Sequence, residues 1–193
     1  MLSSVITKVR ALIDDALKNG REVHTYVSSK IFTLTESNVS AISAVTNNGA
    51  ALDSGESYSY SSTTNKITMV GTFAAGDEFE FAYTYYAKYS DTELTDWIRA
   101  SLVYLSLYDD CKDFELEDDG ESSYYFEPTP SNKELDLIAM VTAILINPDW
   151  SEYKLPNVTV KFPRTQDKET RIARLIKSVK SSNGWTGLID LED

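Results

Sequence analysis

The sequence predicts an α+β fold, a helical bundle scaffold with a small antiparallel β subdomain inserted into it. Three observations predict this. Apolar residues recur at helical spacing over the first twenty positions and again from about residue 90 onward. Between them, from Glu22 to Tyr86, apolar and polar residues alternate, and turn-forming residues interrupt the alternation at short intervals.

The opening helix rests on Leu2, Val5, Ile6, Val9, Leu12, Ile13 and Leu17, whose spacing of three and four makes one apolar stripe, and Asn19-Gly20 is the expected cap. Alternation follows: Val23, Tyr26 and Val27; Ile31, Phe32 and Leu34; Ile42 and Val45; Tyr58 and Tyr60; Ile67, Met69 and Val70; Phe79, Phe81, Tyr83 and Tyr85. These runs predict about five or six short strands. Asn47-Asn48-Gly49, Asp53-Ser54-Gly55, Thr64-Asn65-Lys66 and Ala75-Gly76-Asp77 supply residues that tolerate positive φ or bond their own backbone. The β subdomain is placed at 21–89 and the helical scaffold at 1–20 and 90–181.

Helix resumes where Ser90 and Glu93 can form a capping box ahead of Leu94, Trp97, Ile98, Leu102 and Leu105. An acidic segment, 109–130, is dense in charge and closed by Pro128-Thr129-Pro130, and it reads as an irregular loop. Ser131 and Glu134 form a second capping box before Leu135, Ile138, Ala139, Val141, Thr142, Leu145 and Ile146 in an unusually apolar helix, stopped at Asn147-Pro148. Val158, Val160 and Phe162 read as a short strand, and Ile172, Leu175, Ile176 and Val179 as the stripe of a last helix whose other face is basic. The tail, 182–193, carries Trp185, Leu188, Ile189 and Leu191 with no length in which to fold alone, so it needs a surface, its own or a neighbour's.

Composition narrows the function. The chain has 193 residues, 42% hydrophobic and 25% charged, with 30 acidic against 18 basic side chains and a formal net charge of −12. Such a surface is ill suited to neutralising phosphates. One cysteine, Cys111, excludes an internal disulfide, and one histidine, His24, leaves little for a nitrogen-ligated metal or an oriented catalytic base. No catalytic, cofactor-binding or metal-binding residues are expected. No run approaches the roughly 18 apolar residues of a membrane helix, and the N-terminal stretch lacks a signal peptide's apolar region, so the expected site of synthesis and residence is the cytoplasm. The charge is uneven: Asp113, Glu117, Asp118 and Asp119 sit in an acidic run, while Arg171, Arg174 and Lys177 sit in a basic one. Opposed patches of this kind suit pairing between copies.

The order of parts, helix, β insertion, helices and apolar tail, resembles the head-to-tail adaptor (head completion or connector) proteins of tailed bacteriophages. The likeness is carried by the strand and turn sequence Asn48-Gly49, Tyr58-Ser59-Tyr60, Ile67-Thr68 and Gly76-Asp77 before Phe79-Glu80-Phe81. The resemblance implies a structural virion protein of the neck, a homo-oligomeric ring of about twelve copies that docks on the portal protein after packaging and gives tail or neck proteins a platform. It implies an acidic channel through which DNA passes without specific binding. Trp185, Leu188, Ile189 and Leu191 would be portal anchors, with Asp113, Glu117, Asp118 and Asp119 meeting Arg171, Arg174 and Lys177 between subunits. A second class is a phage tail or surface binding module whose β subdomain grips a receptor or glycan through Tyr83 and Tyr85. An enzyme is a third, supported only by the acidic run.

Overall fold

The computed structural model describes residues 1–109, 111–118, 120, 124–163, 166–181 and 187–191. The chain forms two compact units, one from Met1–Asp15 with Asp91–Asp193, the other from Ala16–Ser90. The first holds α1 (Leu2–Leu12), α2 (Asp91–Ser106), α3 (Asn132–Ile146) and α4 (Lys168–Ser181), with β8 (Glu115–Asp118), β9 (Tyr124–Glu127), β10 (Glu152–Leu155), β11 (Val158–Lys161) and β12 (Gly187–Asp190). The second is all strand: β1 (Leu17–Thr25), β2 (Ile31–Thr33), β3 (Val39–Asn47), β4 (Ala50–Ala51), β5 (Tyr58–Ser61), β6 (Lys66–Met69) and β7 (Glu78–Tyr86).

The expected helical bundle is therefore corrected. Among the described residues there are four helices and twelve strands, and even the helical unit contains two sheets, the β8-β9 hairpin and a three-stranded sheet β10-β11-β12. The hairpin lies inside the acidic segment expected to be irregular. Its pairing sets Leu116 opposite Phe126, and only Phe126 is fully buried, so charged neighbours mask the period of two. The first helix also ends earlier than expected. It stops at Leu12, Asp14 turns with φ 53°, and Leu17 opens β1 half exposed, so its helical spacing is accidental.

In the β unit the sheets β1-β7-β3-β4 and β2-β6-β5 enclose a core of Phe32, Val45, Tyr58, Ile67, Met69, Phe79, Phe81 and Tyr83. β7 shows why alternation works: Phe79, Phe81 and Tyr83 point inward and are buried, while Glu78, Glu80 and Ala82 point out. Phe32 stands 5.4 Å from both Phe79 and Phe81 in tilted geometry, and each fully buried ring stabilises the unit by about 1.5–3 kcal/mol. Asn65, at φ 54°, donates from its amide to the carbonyls of Leu34 (3.0 Å) and Glu36 (2.9 Å) and accepts from the Tyr60 hydroxyl. Asn48, at φ 49°, donates to Asp77 (2.9 Å) and accepts from the Glu78 amide (2.9 Å), which fastens two turns together.

Gly20 has a different reason from a helix cap. It lies opposite Tyr83 in the sheet, and a Cβ there would stand 2.4 Å from the ring's Cε2. On the same inner face the Glu22 carboxylate accepts from the Thr35 amide (3.1 Å) and hydroxyl (2.7 Å) and bonds His24 Nε2 (3.1 Å). Burial alone would raise the Glu22 pKa, but these bonds and one from Tyr83 outweigh it and hold the carboxyl below its usual value. Burial, with the nearby Glu22 charge, pushes the Tyr83 phenol up to about 12.

In the helical unit α3 is buried along nearly its whole length and starts from the expected capping box, Ser131 Oγ accepting from the Glu134 amide while Glu134 accepts from the Ser131 amide at 2.7 Å. Thr142 and Ser101 meet at 3.0 Å between α3 and α2, small side chains that let the helices approach and bond within themselves. Arg10, 5% exposed, donates to Asp15 and, at 2.7 Å, to Asp91. Lys8 pairs with buried Asp136 at 2.6 Å, fixing α1 to α3.

Two outcomes test these packing statements. Gly20→Ala lowers the urea midpoint by about 1–3 kcal/mol equivalent at unchanged m, the reverse of the usual gain from Gly→Ala in a strand. Arg10→Met takes the cation from the buried Asp15 carboxylate and costs about 3–5 kcal/mol in a thermal or urea melt, whereas Arg21→Met, on an exposed pair, leaves the midpoint nearly where it was.

Candidate assembly surface

The apolar tail does not hang free where it is described. Leu188 and Ile189 lie on β12, which pairs in parallel with β11 so that Thr159 faces Leu188 and Val160 faces Ile189. Leu191 follows at once, its amide donating to Lys161 O (3.0 Å) and its carbonyl accepting from Arg174 Nη1 (2.7 Å). Ile189 and Leu191 are half-buried. Trp185 lies outside the described residues, as does Asp119. The tail's own chain thus supplies a partner surface, one of the two options that its sequence left open.

The basic group separates by burial. Arg171 is 1% exposed, and its guanidinium donates to the carbonyls of Pro148, Trp150 (2.6 Å) and Pro163 (3.0 Å) while lying 5.8 Å from the Phe162 ring. It is corrected from a partner-facing charge to an internal brace, because five donors in a planar fork can hold several loop carbonyls at once. Tyr153 joins the brace by donating to Asn147 O (2.5 Å), and burial, only partly offset by Arg171, pushes its phenol up to about 12. Arg174 is half-buried and engaged with the tail, and Lys177 is exposed.

The acidic group is on the surface. Asp113 is exposed, and Glu117 and Asp118 are exposed on β8, with Asp118 Oδ1 accepting from the Gly120 amide (2.9 Å). The hairpin lies against α2 and α1 and is anchored by Phe114 and Phe126, which are 5% and 1% exposed. Chemically the array is one of display: exposed carboxylates on a short hairpin.

A groove that the sequence did not announce runs beside this hairpin. It encloses about 290 Å³ between Leu105, Phe114, Leu137, Ile176 and Val179, with the Lys112–Glu134 ion pair (2.8 Å) among its lining. That volume is at the lower end for ligand sites and accommodates one or two apolar side chains. Phe114, an aromatic amid acids, was the signal available; the other walls come from three helices remote in sequence. Burial would raise the Glu134 pKa, but Lys112 and the Ser131 bonds hold it below its ordinary value.

In the aromatic strand Phe79, Phe81 and Tyr83 are at most 3% exposed, and Tyr85 packs on their core. Among the described residues no three His, Cys, Asp or Glu side chains gather as a metal would need, and no helix is long and apolar enough to cross a membrane.

The brace is testable by comparing two cations of one helix. Arg171→Lys keeps the charge but cannot reach three carbonyls, and it lowers stability by about 2–4 kcal/mol in a thermal melt, while Lys177→Ala leaves the melting temperature unchanged.

Comparison with models of protein families and with curated protein sequences finds no match for this chain.

Proposed function

We propose that this protein is a head-to-tail adaptor of a tailed bacteriophage, a ring-forming structural subunit between the portal and the tail in the virion neck. The observation that carries the reading is the arrangement of parts: a compact β unit, Ala16–Ser90, inserted after a single helix, followed by a helical unit that ends in an apolar strand. The net charge of −12 suits a subunit around a DNA channel, because cationic contacts with phosphate would retard passage. Exposed carboxylates on the β8-β9 hairpin give neighbouring copies an electrostatic feature to orient against, with Lys177 as a cation available on α4.

Portal docking falls to the sheet β10-β11-β12. β12 is its outer strand, so a portal segment can add beside it, with Ile189 and Leu191 as apolar contacts. The discriminating experiment is electron microscopy of purified necks combined with a truncation that removes residues 182–193. A ring of this protein beneath the portal, lost on truncation while the circular dichroism of the isolated subunit is retained, is the expected result. Necks without any such ring would end the adaptor reading, and a ring unaffected by truncation would move the anchor elsewhere.

A further inference from the structure

We infer that the free protein pairs β1 with β1 of a second copy, antiparallel about Gly20, to make a two-fold dimer in which two four-stranded sheets join edge to edge. This does not rest on the adaptor reading; it follows from one strand and what its outer edge lacks.

β1 is nine residues long and, among the described residues, pairs with β7 alone. The Tyr26 amide donates to Asp77 O (2.7 Å) in the same register, so alternate residues back along the strand, His24, Glu22, Gly20 and Lys18, direct their backbone groups to β7. The amides and carbonyls of Asn19, Arg21, Val23 and Thr25 then face outward, and they have no backbone partner among the described residues. Proteins protect such edges with proline, bulges, short strands or a covering segment. The other edges of the β unit have that protection: β3 carries two register shifts and is capped by β4, and β2 and β5 are three and four residues long. β1 has no proline, and its pairing with β7 runs without a shift.

The sequence of the edge specifies a copy of itself as the occupant. With Gly20 on the two-fold axis, Leu17 meets Val23, Lys18 meets Glu22 and Asn19 meets Arg21, each twice. The outward-facing residues fall in hydrogen-bonded pairs, giving about eight backbone bonds. Leu17 and Val23, 50% and 57% exposed in the single chain, cover each other. Lys18 faces a carboxylate of opposite sign. The neighbouring register, centred on Arg21, would instead set Arg21 against Arg21, so charge selects between the two. A contact of this size is well below a standard interface, and its dissociation constant is on the order of 0.1 mM.

The test is sedimentation equilibrium from about 10 μM to about 1 mM, with amide exchange of residues 19, 21 and 23 followed by NMR over the same range. The wild type is expected to shift from monomer to dimer, with these three amides slowed only at high concentration. Val23→Pro removes an outward amide, which an edge strand tolerates, and Lys18→Glu opposes two carboxylates; each is expected to weaken pairing at least tenfold at unchanged circular dichroism. If Val23→Pro alters the fold, Lys18→Glu decides alone. A monomer at every concentration overturns the proposal. So does any dimer, ring or bound foreign chain that leaves the three amides exchanging freely or that persists undiminished in Lys18→Glu.

Discussion

The guanidinium of Arg10 is the contact on which the two-part organisation depends. The chain leaves the helical unit after Asp15 and returns at Asp91, and this one buried cation bonds both carboxylates. Joining two points separated by about 75 residues would carry a loop-closure cost if the intervening chain were flexible. It is folded instead, and its own sheet pairs Leu17 with Tyr86, so both ends of the insertion emerge together. Closure within the β unit and the ion pair in the helical unit therefore favour the same chain path.

Buried cations play this internal part twice. Arg10 lies among carboxylates and Arg171 among carbonyls, and both remove charge from the surface that composition alone would assign to it. The same unit buries the carboxylates of Asp15 and Asp136, so the charges withdrawn balance, and what changes is the basic face of α4, which loses Arg171. A basic residue at helical spacing reads the same in sequence whether it meets water or a loop, because the carbonyls that claim it come from Pro148, Trp150 and Pro163, on segments outside that helix.

Local rules explain what was legible. The Ser131–Glu134 box, the apolar run of α3 and its stop at Asn147-Pro148 involve neighbours within one turn, and they appear as expected. The inward aromatics of β7 and the turns at Asn48 and Asn65 are likewise local. The misread elements all involve remote partners. Gly20 serves Tyr83 across the sheet rather than a helix end, the β8-β9 hairpin conceals Phe126 behind acids, and β12 becomes a strand only because β11 offers an unpaired side. The groove by Phe114 belongs to this class too, having walls on three helices.

The pairing of Leu17 with Tyr86 has a mechanical consequence. Tension applied along the backbone through these two positions would pull on directly opposed residues at one end of the β1–β7 ladder, opening it one pair at a time instead of shearing all nine together. Such a zipper yields at low force. The Arg10 link between Asp15 and Asp91 joins the same two passes of chain within the helical unit, at a point the ladder itself does not reach.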